Sequence, residues 1–237
     1  MTQTDQRRQH VIGMVLFRRL TQLDLTGPFE VFARLPNTRV HLVAHDLEPV
    51  ETDRGLTILP TVTFGDCPQL DVVFVPGGPG QQDVMDDETV LAFLRRQARG
   101  AQYLTSVCTG SLVLGAAGLL KGKRATCHWT AIDFLADLGA IPTSERVVVD
   151  GNVVTGAGVA SGIDFALRFA AILEGETVAR EIQLQIEYDP DPPFRGSPAA
   201  VPAEMVAAVR ARGAQLAAAR AQVARRIGQK LGVLPPD

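Results

Sequence analysis

The chain has 237 residues, 46% hydrophobic and 21% charged, and its 23 Lys and Arg against 26 Asp and Glu leave a formal charge of −3. At roughly 100 to 200 residues per domain, this length and composition fit one sizeable α/β domain with an extension and a core that needs no disulfides. They exclude the broadly basic surface of a nucleic-acid binder, where Lys and Arg supply most of the affinity by releasing counterions.

The first ten residues, MTQTDQRRQH, are polar. The apolar run Val11 to Phe17 ends at Arg18-Arg19, too short to cross a membrane, and predicts a strand, not a signal peptide. No membrane partner is expected. A helix is predicted from about Gly27-Pro28 to Leu35, since Pro suits a first helical turn, and a second strand over Arg39 to Ala44. Asp46 to Phe64 is turn-rich and predicts a hairpin excursion. The buried strand Asp71 to Val75 then ends in the tight turn Pro76-Gly77-Gly78-Pro79-Gly80.

Asp87 to Arg99 has helical spacing through Val90, Leu91 and Leu94, and Gln102 to Val107 predicts a strand running straight into Cys108-Thr109-Gly110-Ser111 and a helix over Leu112 to Ala117. A helix around Ala131 to Leu138 and strands at Val147 to Val149 and Asn152 to Thr155 follow. Another helix runs from Ser161, where Ser161-Gly162-Ile163-Asp164 fits a capping box. Strands alternating with helices predict a parallel sheet with helices on both faces.

From Tyr188 to Pro202 the composition turns to Pro, Asp, Gly and Ser, which places a division between a domain over 1–187 and a connector plus terminal helix over 188–237. That helix, Pro202 to about Leu231, spaces Val209, Leu216 and Val223 seven apart. The stripe is expected to dock on its own domain or on a subunit partner. No second helix pair remains for a helix-turn-helix.

The three cysteines, Cys67, Cys108 and Cys127, are odd in number and lack CxxC spacing, which suggests neither a disulfide framework nor a metal site and makes a reducing cytoplasm the expected location. Cys108 stands at a strand-to-helix junction. A helix amino terminus favours thiolate, and the surrounding run resembles a nucleophile elbow; the alternative is a buried small hydrophobe. The N–H groups of Gly78 and Thr109 are candidates to face one oxyanion or nitrogen, against the reading of a plain turn. Asp24, between Leu23 and Leu25, is either a desolvated acid and base or a helix-entry cap. His128, beside Trp129, is the other obvious base, or a structural histidine.

Several segments together carry a resemblance: Gln22-Leu23-Asp24-Leu25-Thr26-Gly27-Pro28, Val75-Pro76-Gly77-Gly78, Ser106-Val107-Cys108-Thr109-Gly110-Ser111 and Gly162-Ile163-Asp164-Phe165. With Leu114-Gly115-Ala116-Ala117-Gly118-Leu119-Leu120 and Leu138-Gly139-Ala140-Ile141-Pro142, the chain resembles the isocyanide (isonitrile) hydratases over almost its whole length. These belong to the glutamine-amidotransferase-like, flavodoxin-like superfamily of cysteine proteins. The resemblance implies a flavodoxin-like α/β fold and a homodimer without metal or organic cofactor. It implies hydration of an isocyanide by water to an N-substituted formamide, with Cys108 as nucleophile, Asp24 as acid and base, and Thr109 as a positioning residue. Val159 and the glycines Gly156 and Gly158 are expected to line the pocket.

Departures narrow the field. Superfamily proteases and deglycases commonly carry His directly after the cysteine, where this chain has Thr109, and no histidine follows residue 128 for an amidotransferase triad. Ala157 stands where a more glycine-rich loop is expected. Two alternatives are a small-molecule-sensing domain related to AraC-type regulators, and another thiol enzyme of hydrolase or glyoxalase type.

Overall fold

The structure, a computed structural model, describes residues 9–235. The polar leader predicted not to be a signal peptide lies, for residues 1–8, outside the described residues, as do 236–237 of the terminal extension. Along the chain, β1 (His10–Val15), α1 (Gln22–Phe32) and β2 (Thr38–Ala44) are followed by the small antiparallel hairpin β3 (Val50–Glu51) and β4 (Thr57–Ile58), then β5 (Val62–Thr63) and β6 (Val72–Val75). Next come α2 (Gln81–Val84), α3 (Glu88–Ala98), β7 (Tyr103–Val107), α4 (Gly110–Ala116), β8 (Arg124–Ala125), α5 (Phe134–Asp137) and β9 (Ile141–Pro142). The antiparallel pair β10 (Val147–Asp150) and β11 (Val153–Gly156) precedes α6 (Ser161–Glu174), α7 (Glu176–Gln185), α8 (Ala203–Arg212) and α9 (Ala214–Lys230).

Seven strands form the central sheet in the order β10-β11-β7-β6-β1-β2-β5, all neighbours parallel except β10 with β11. This is the parallel α/β sheet that the alternating pattern predicts, in the flavodoxin-like form that the resemblance implies. Helices cover both faces, so β6 reads as an unbroken buried run, Val72-Val73-Phe74-Val75. An aromatic cluster locks α1 and α6 to the sheet. Phe32 meets Phe74, Phe165 and Phe169 edge-on at 5.9, 6.2 and 5.8 Å between centroids, each such pair adding about 0.5–1.5 kcal/mol beyond its burial. The cluster fixes α1, and with it Asp24, against the ends of β6 and β7.

Four local expectations change. Helix α1 starts at Gln22, because the Asp24 N–H donates to the Thr21 carbonyl at 3.0 Å; Pro28 therefore lies inside the helix, against Gly162. There is no capping box on α6. Ala160 is the cap residue, Ser161 is already helical and its hydroxyl turns back to the Gly158 carbonyl, and Asp164 is taken by Arg146 Nε at 2.9 Å and by Tyr188 at 3.0 Å. The helix from Ser161 breaks at Gly175, whose φ of +93° stops α6 before α7.

The terminal segment is also two helices, divided at Gly213, and its buried face is not the predicted stripe. Val209 is exposed and Leu216 and Val223 are only half-buried. Arg220, Ala224, Ile227 and Gly228 point inward instead, and a Cβ on Gly228 would fall 2.0 Å from the Asp137 carbonyl of α5. The first three of these lie at helical spacing, but one is an arginine, which an apolar pattern does not register.

Candidate active site

The nucleophile candidate is held by backbone geometry. Cys108 follows directly on β7 with φ of +55°, a left-handed conformation rare for a residue with a side chain and costing about 1–3 kcal/mol. Its N–H donates to the Gly156 and Ala157 carbonyls at 3.0 and 2.7 Å, which anchors the turn to the end of β11. Gly110, two residues on, leaves no room for a side chain: a Cβ there would sit 2.1 Å from the Val75 carbonyl. The elbow pattern and the chain crossing beneath it explain each other.

Gly77 lies between the thiol and the acid candidate. A Cβ on it would fall 2.5 Å from the Thr109 nitrogen, 2.7 Å from Asp24 Oδ2 and 2.8 Å from Cys108 Cβ. Its N–H donates to Asp24 Oδ2 at 3.0 Å, and its carbonyl accepts from the Thr21 N–H at 2.9 Å. Sequence reasoning gave this glycine no separate role; the diglycine at the end of β6 was its only signal.

Asp24 is fully buried. Burial raises its pKa from 3.8 to about 7, against the opposing hydrogen bonds from the Cys108 thiol and the Gly77 N–H, with the charge of Asp53 adding to the rise. Oδ1 has no hydrogen-bond partner among the described residues. The group is thus a desolvated acid, not a cap: Thr21 precedes the helix and makes no side-chain cap.

Burial also pushes the Cys108 thiol well up, reinforced by the charge of Asp24, by Cys127 and by the hydrogen bond to Asp24; the Thr109 N–H alone pulls it down. The lowered thiol expected from the helix terminus is therefore reversed. A few partial charges at the start of α4 do not offset complete desolvation beside a carboxylate.

The expected pair of oxyanion donors is also arranged differently. Gly78 (φ +140°) donates its N–H to Thr109 Oγ1 at 3.0 Å, and that hydroxyl donates to the Gly78 carbonyl at 3.3 Å. The Gly78 N–H is occupied by Thr109, and the Thr109 N–H by the thiol.

His128 accepts or donates at Nδ1 to Thr130 Oγ1 at 2.8 Å and makes no hydrogen bond with Cys108. Burial and then Arg220 lower its pKa, so it is a neutral ring beside Gly158, where an added Cβ would lie 3.3 Å from His128 Cδ2. Val159 is half-buried in the same loop and its carbonyl accepts from Gly162. Ala157 has no left-handed φ and donates to the Arg146 carbonyl at 2.9 Å, so alanine is accommodated where glycine is expected. Cys67, half-buried, lies away from this group near Arg96.

Among the described residues no group of three or more His, Cys, Asp or Glu is placed to hold a metal ion, and no helix is long and apolar enough to cross a membrane.

Comparison with known proteins sets this geometry in context. The sequence profile of the DJ-1/PfpI family matches residues 10–172. The chain is similar to an isonitrile hydratase of Pseudomonas putida, 54% identical over 223 residues, 94% of this chain and 98% of that one. It is similar in structure to a THiJ/PfpI family protein of Pseudomonas syringae, with a TM-score of 0.89 and 46% identity over 91% of this chain and 90% of the other. An HTH-type transcriptional regulator, GbdR, of Pseudomonas aeruginosa is 30% identical over 192 residues, 77% of this chain but 52% of the regulator.

Proposed function

The chain belongs to the DJ-1/PfpI family, and we propose that it is an enzyme of that family which hydrates isocyanides to N-substituted formamides, with Cys108 as nucleophile and Asp24 as acid and base. The substrate class comes from the Pseudomonas putida relative, similar across nearly the full length of both chains. The observation that carries the chemistry is the buried Cys108 thiol bonded to Asp24, a carboxyl titrating near neutrality with one oxygen unpartnered.

The terminal carbon of an isocyanide must gain both a nucleophile and a proton. Above pH 7 the pair holds one proton, on sulfur. It moves to Asp24 as the sulfur attacks, and Asp24 delivers it to the same carbon. The product is a thioimidate, Cys108 Sγ–CH=N–R, in which the S–H has added across one carbon atom. Water then attacks that carbon, with the Asp24 carboxylate taking its proton and passing it to nitrogen. Collapse of the tetrahedral adduct expels sulfur, which recovers the hydroxyl proton through Asp24, and releases R–NH–CHO. Thr109 holds the Gly78 turn while its N–H supports the sulfur; Gly78, Gly158 and Val159 border the substrate. The reaction consumes only isocyanide and water, requires no cofactor, and in this reading is carried out by a homodimer in the cytoplasm.

The ionisation sets a pH dependence. Below pH 7 Asp24 gains a second proton for the pair and can no longer accept the one on sulfur. Accordingly kcat/KM is expected to fall as pH drops through about 7, with a slope of one proton, an apparent value belonging to the coupled pair. A pH–rate profile measured on one isocyanide checks it; a flat profile between pH 6 and 8 contradicts the assignment.

The direct test is product formation from alkyl and aryl isocyanides, followed as N-formamide by chromatography. Formamide above the uncatalysed rate is expected. The match to the regulator favours a second reading, ligand sensing without turnover, and isocyanide binding with no formamide would decide for it.

A further inference from the structure

The turn-rich excursion contains the hairpin β3–β4, which joins no strand of the central sheet. Two backbone hydrogen bonds tie it to the loop that follows β1: the Arg19 N–H donates to the Glu51 carbonyl at 2.9 Å, and the Asp53 N–H to the Leu20 carbonyl at 2.9 Å. The next residue of that loop, Thr21, stands at a junction. Its N–H donates to the Gly77 carbonyl at 2.9 Å, its carbonyl accepts from the Asp24 N–H at 3.0 Å, and the Gly77 N–H donates to Asp24 Oδ2 at 3.0 Å, which closes a ring of three residues around the acid. The side chain of Thr21 leaves this ring for the hairpin, where its hydroxyl donates to Asp53 Oδ2 at 3.2 Å.

Asp53 is an unfavourable residue for a hairpin to carry. Its side chain is 13% exposed, its Oδ1 is buried with no hydrogen-bond partner among the described residues, and its ion-pair partner, Arg54 Nε, lies 3.9 Å away on a side chain 87% exposed. So exposed a pair contributes little, and a buried carboxylate oxygen without a donor opposes folding. The stability of the hairpin does not account for this carboxylate, whereas its grip on Thr21 does. Other charges nearby are engaged elsewhere or exposed. Arg18, Arg19 and Glu51 face solvent, and Glu30 of α1 pairs with Arg34. On α6, packed against α1, Asp164 is held by Arg146 and Tyr188, Glu174 pairs with His10 at 3.1 Å, and Arg168 is exposed.

We propose that Asp53 is a positioning residue contributed by the β3–β4 hairpin: through the Thr21 hydroxyl it secures the Thr21–Gly77–Asp24 ring, and so keeps Asp24 Oδ2 on the Gly77 N–H and the carboxyl against the Cys108 thiol. Its two effects on Asp24 have opposite signs. The charge of Asp53 disfavours the carboxylate, while the ring it secures favours the carboxylate through the Gly77 N–H. The catalytic consequence rests on the hydratase reading, but the hold on Asp24 does not.

The test uses the full chain and follows the titration of Asp24 by carbon-13 NMR of labelled aspartate carboxyls, with the signal assigned by its loss in Asp24→Asn. Thr21→Val keeps the backbone bonds and removes only the hydroxyl, so the Gly77 N–H loosens and the Asp24 midpoint is expected to rise above about 7. Asp53→Asn keeps an acceptor for Thr21 and removes the charge, so the midpoint is expected to fall. Thr21→Ser, which restores the hydroxyl, is expected to titrate as the parent does. With an isocyanide, Thr21→Val is expected to lower kcat by up to about 10²-fold, the effect of a displacement of about 1 Å, and to change KM less. Where Thr21→Val does not fold, Asp53→Ala against Asp53→Asn isolates the same bond: both lack the charge and only alanine lacks the acceptor, so the alanine midpoint is expected above the asparagine one. An Asp24 midpoint that loss of the Thr21–Asp53 bond leaves in place or lowers overturns the proposal, as does a serine variant shifted as far as the valine one. The expected shifts in a protein that makes no formamide uphold the positioning and overturn only the hydratase reading.

Discussion

Asp24→Asn is expected to lose about 10³-fold in turnover, within the range that general acid–base catalysis contributes, while gaining stability above pH 7. Asparagine keeps the volume and an acceptor for the Gly77 N–H, but cannot take the proton from Cys108 or return it to carbon. The stability gain follows from linkage. The carboxyl titrates at about 7 in the folded chain against an ordinary 3.8, so the folded state binds the proton more tightly and stability falls as pH rises between these values. Three units correspond to about 4 kcal/mol at full effect above pH 7. Asparagine removes that penalty but leaves a buried donor where Oδ1 had no partner, a cost of about 1–3 kcal/mol. Thermal melting at pH 8 is expected to show a variant several degrees more stable, with the advantage gone by pH 4. A variant that is destabilised at pH 8, or that retains full turnover, contradicts the assignment.

Cys108→Ala is expected to bring formamide production down to the uncatalysed rate. The thiol is the atom that joins the carbon, and no other nucleophile replaces it: Cys127 is buried with its thiol pushed up to about 12, and Cys67 lies away from the site. Removing the side chain also takes away the thiol hydrogen bond that favours the Asp24 carboxylate, so Asp24 is expected to hold its proton to a higher pH in this variant. Retained turnover in a folded Cys108→Ala protein would leave Asp24 activating water directly, a different reaction on the same scaffold. A sensor domain, by contrast, would keep its ligand affinity in this variant.

Much of this arrangement is legible in the sequence because it rests on local rules. The run Val72 to Val75 could be read as a buried strand, and Cys108 as an elbow, because the residues that make those shapes are adjacent. Asp24 could be read as desolvated from its flanking leucines. What could not be read depends on atoms far apart in the chain. The start of α1 is set by Thr21, itself held by Gly77, and Asp164 leaves its capping role because Arg146 and Tyr188 reach it. The direction of the Cys108 shift depends on complete burial beside Asp24, which outweighs the helix terminus that the sequence does show. Arg220 was invisible for a related reason: in an Ala- and Arg-rich helix, nothing local marks which arginine turns inward.

The central claim is that isocyanide carbon becomes bonded to Cys108, and the most direct measurement is acid-quenched mass spectrometry of the protein during turnover, with peptide mapping. The account predicts an increase equal to the mass of the whole isocyanide, on the peptide containing Cys108, which decays as formamide accumulates. Formamide produced with no adduct at any time, by a protein in which Cys108→Ala is equally active, would contradict it.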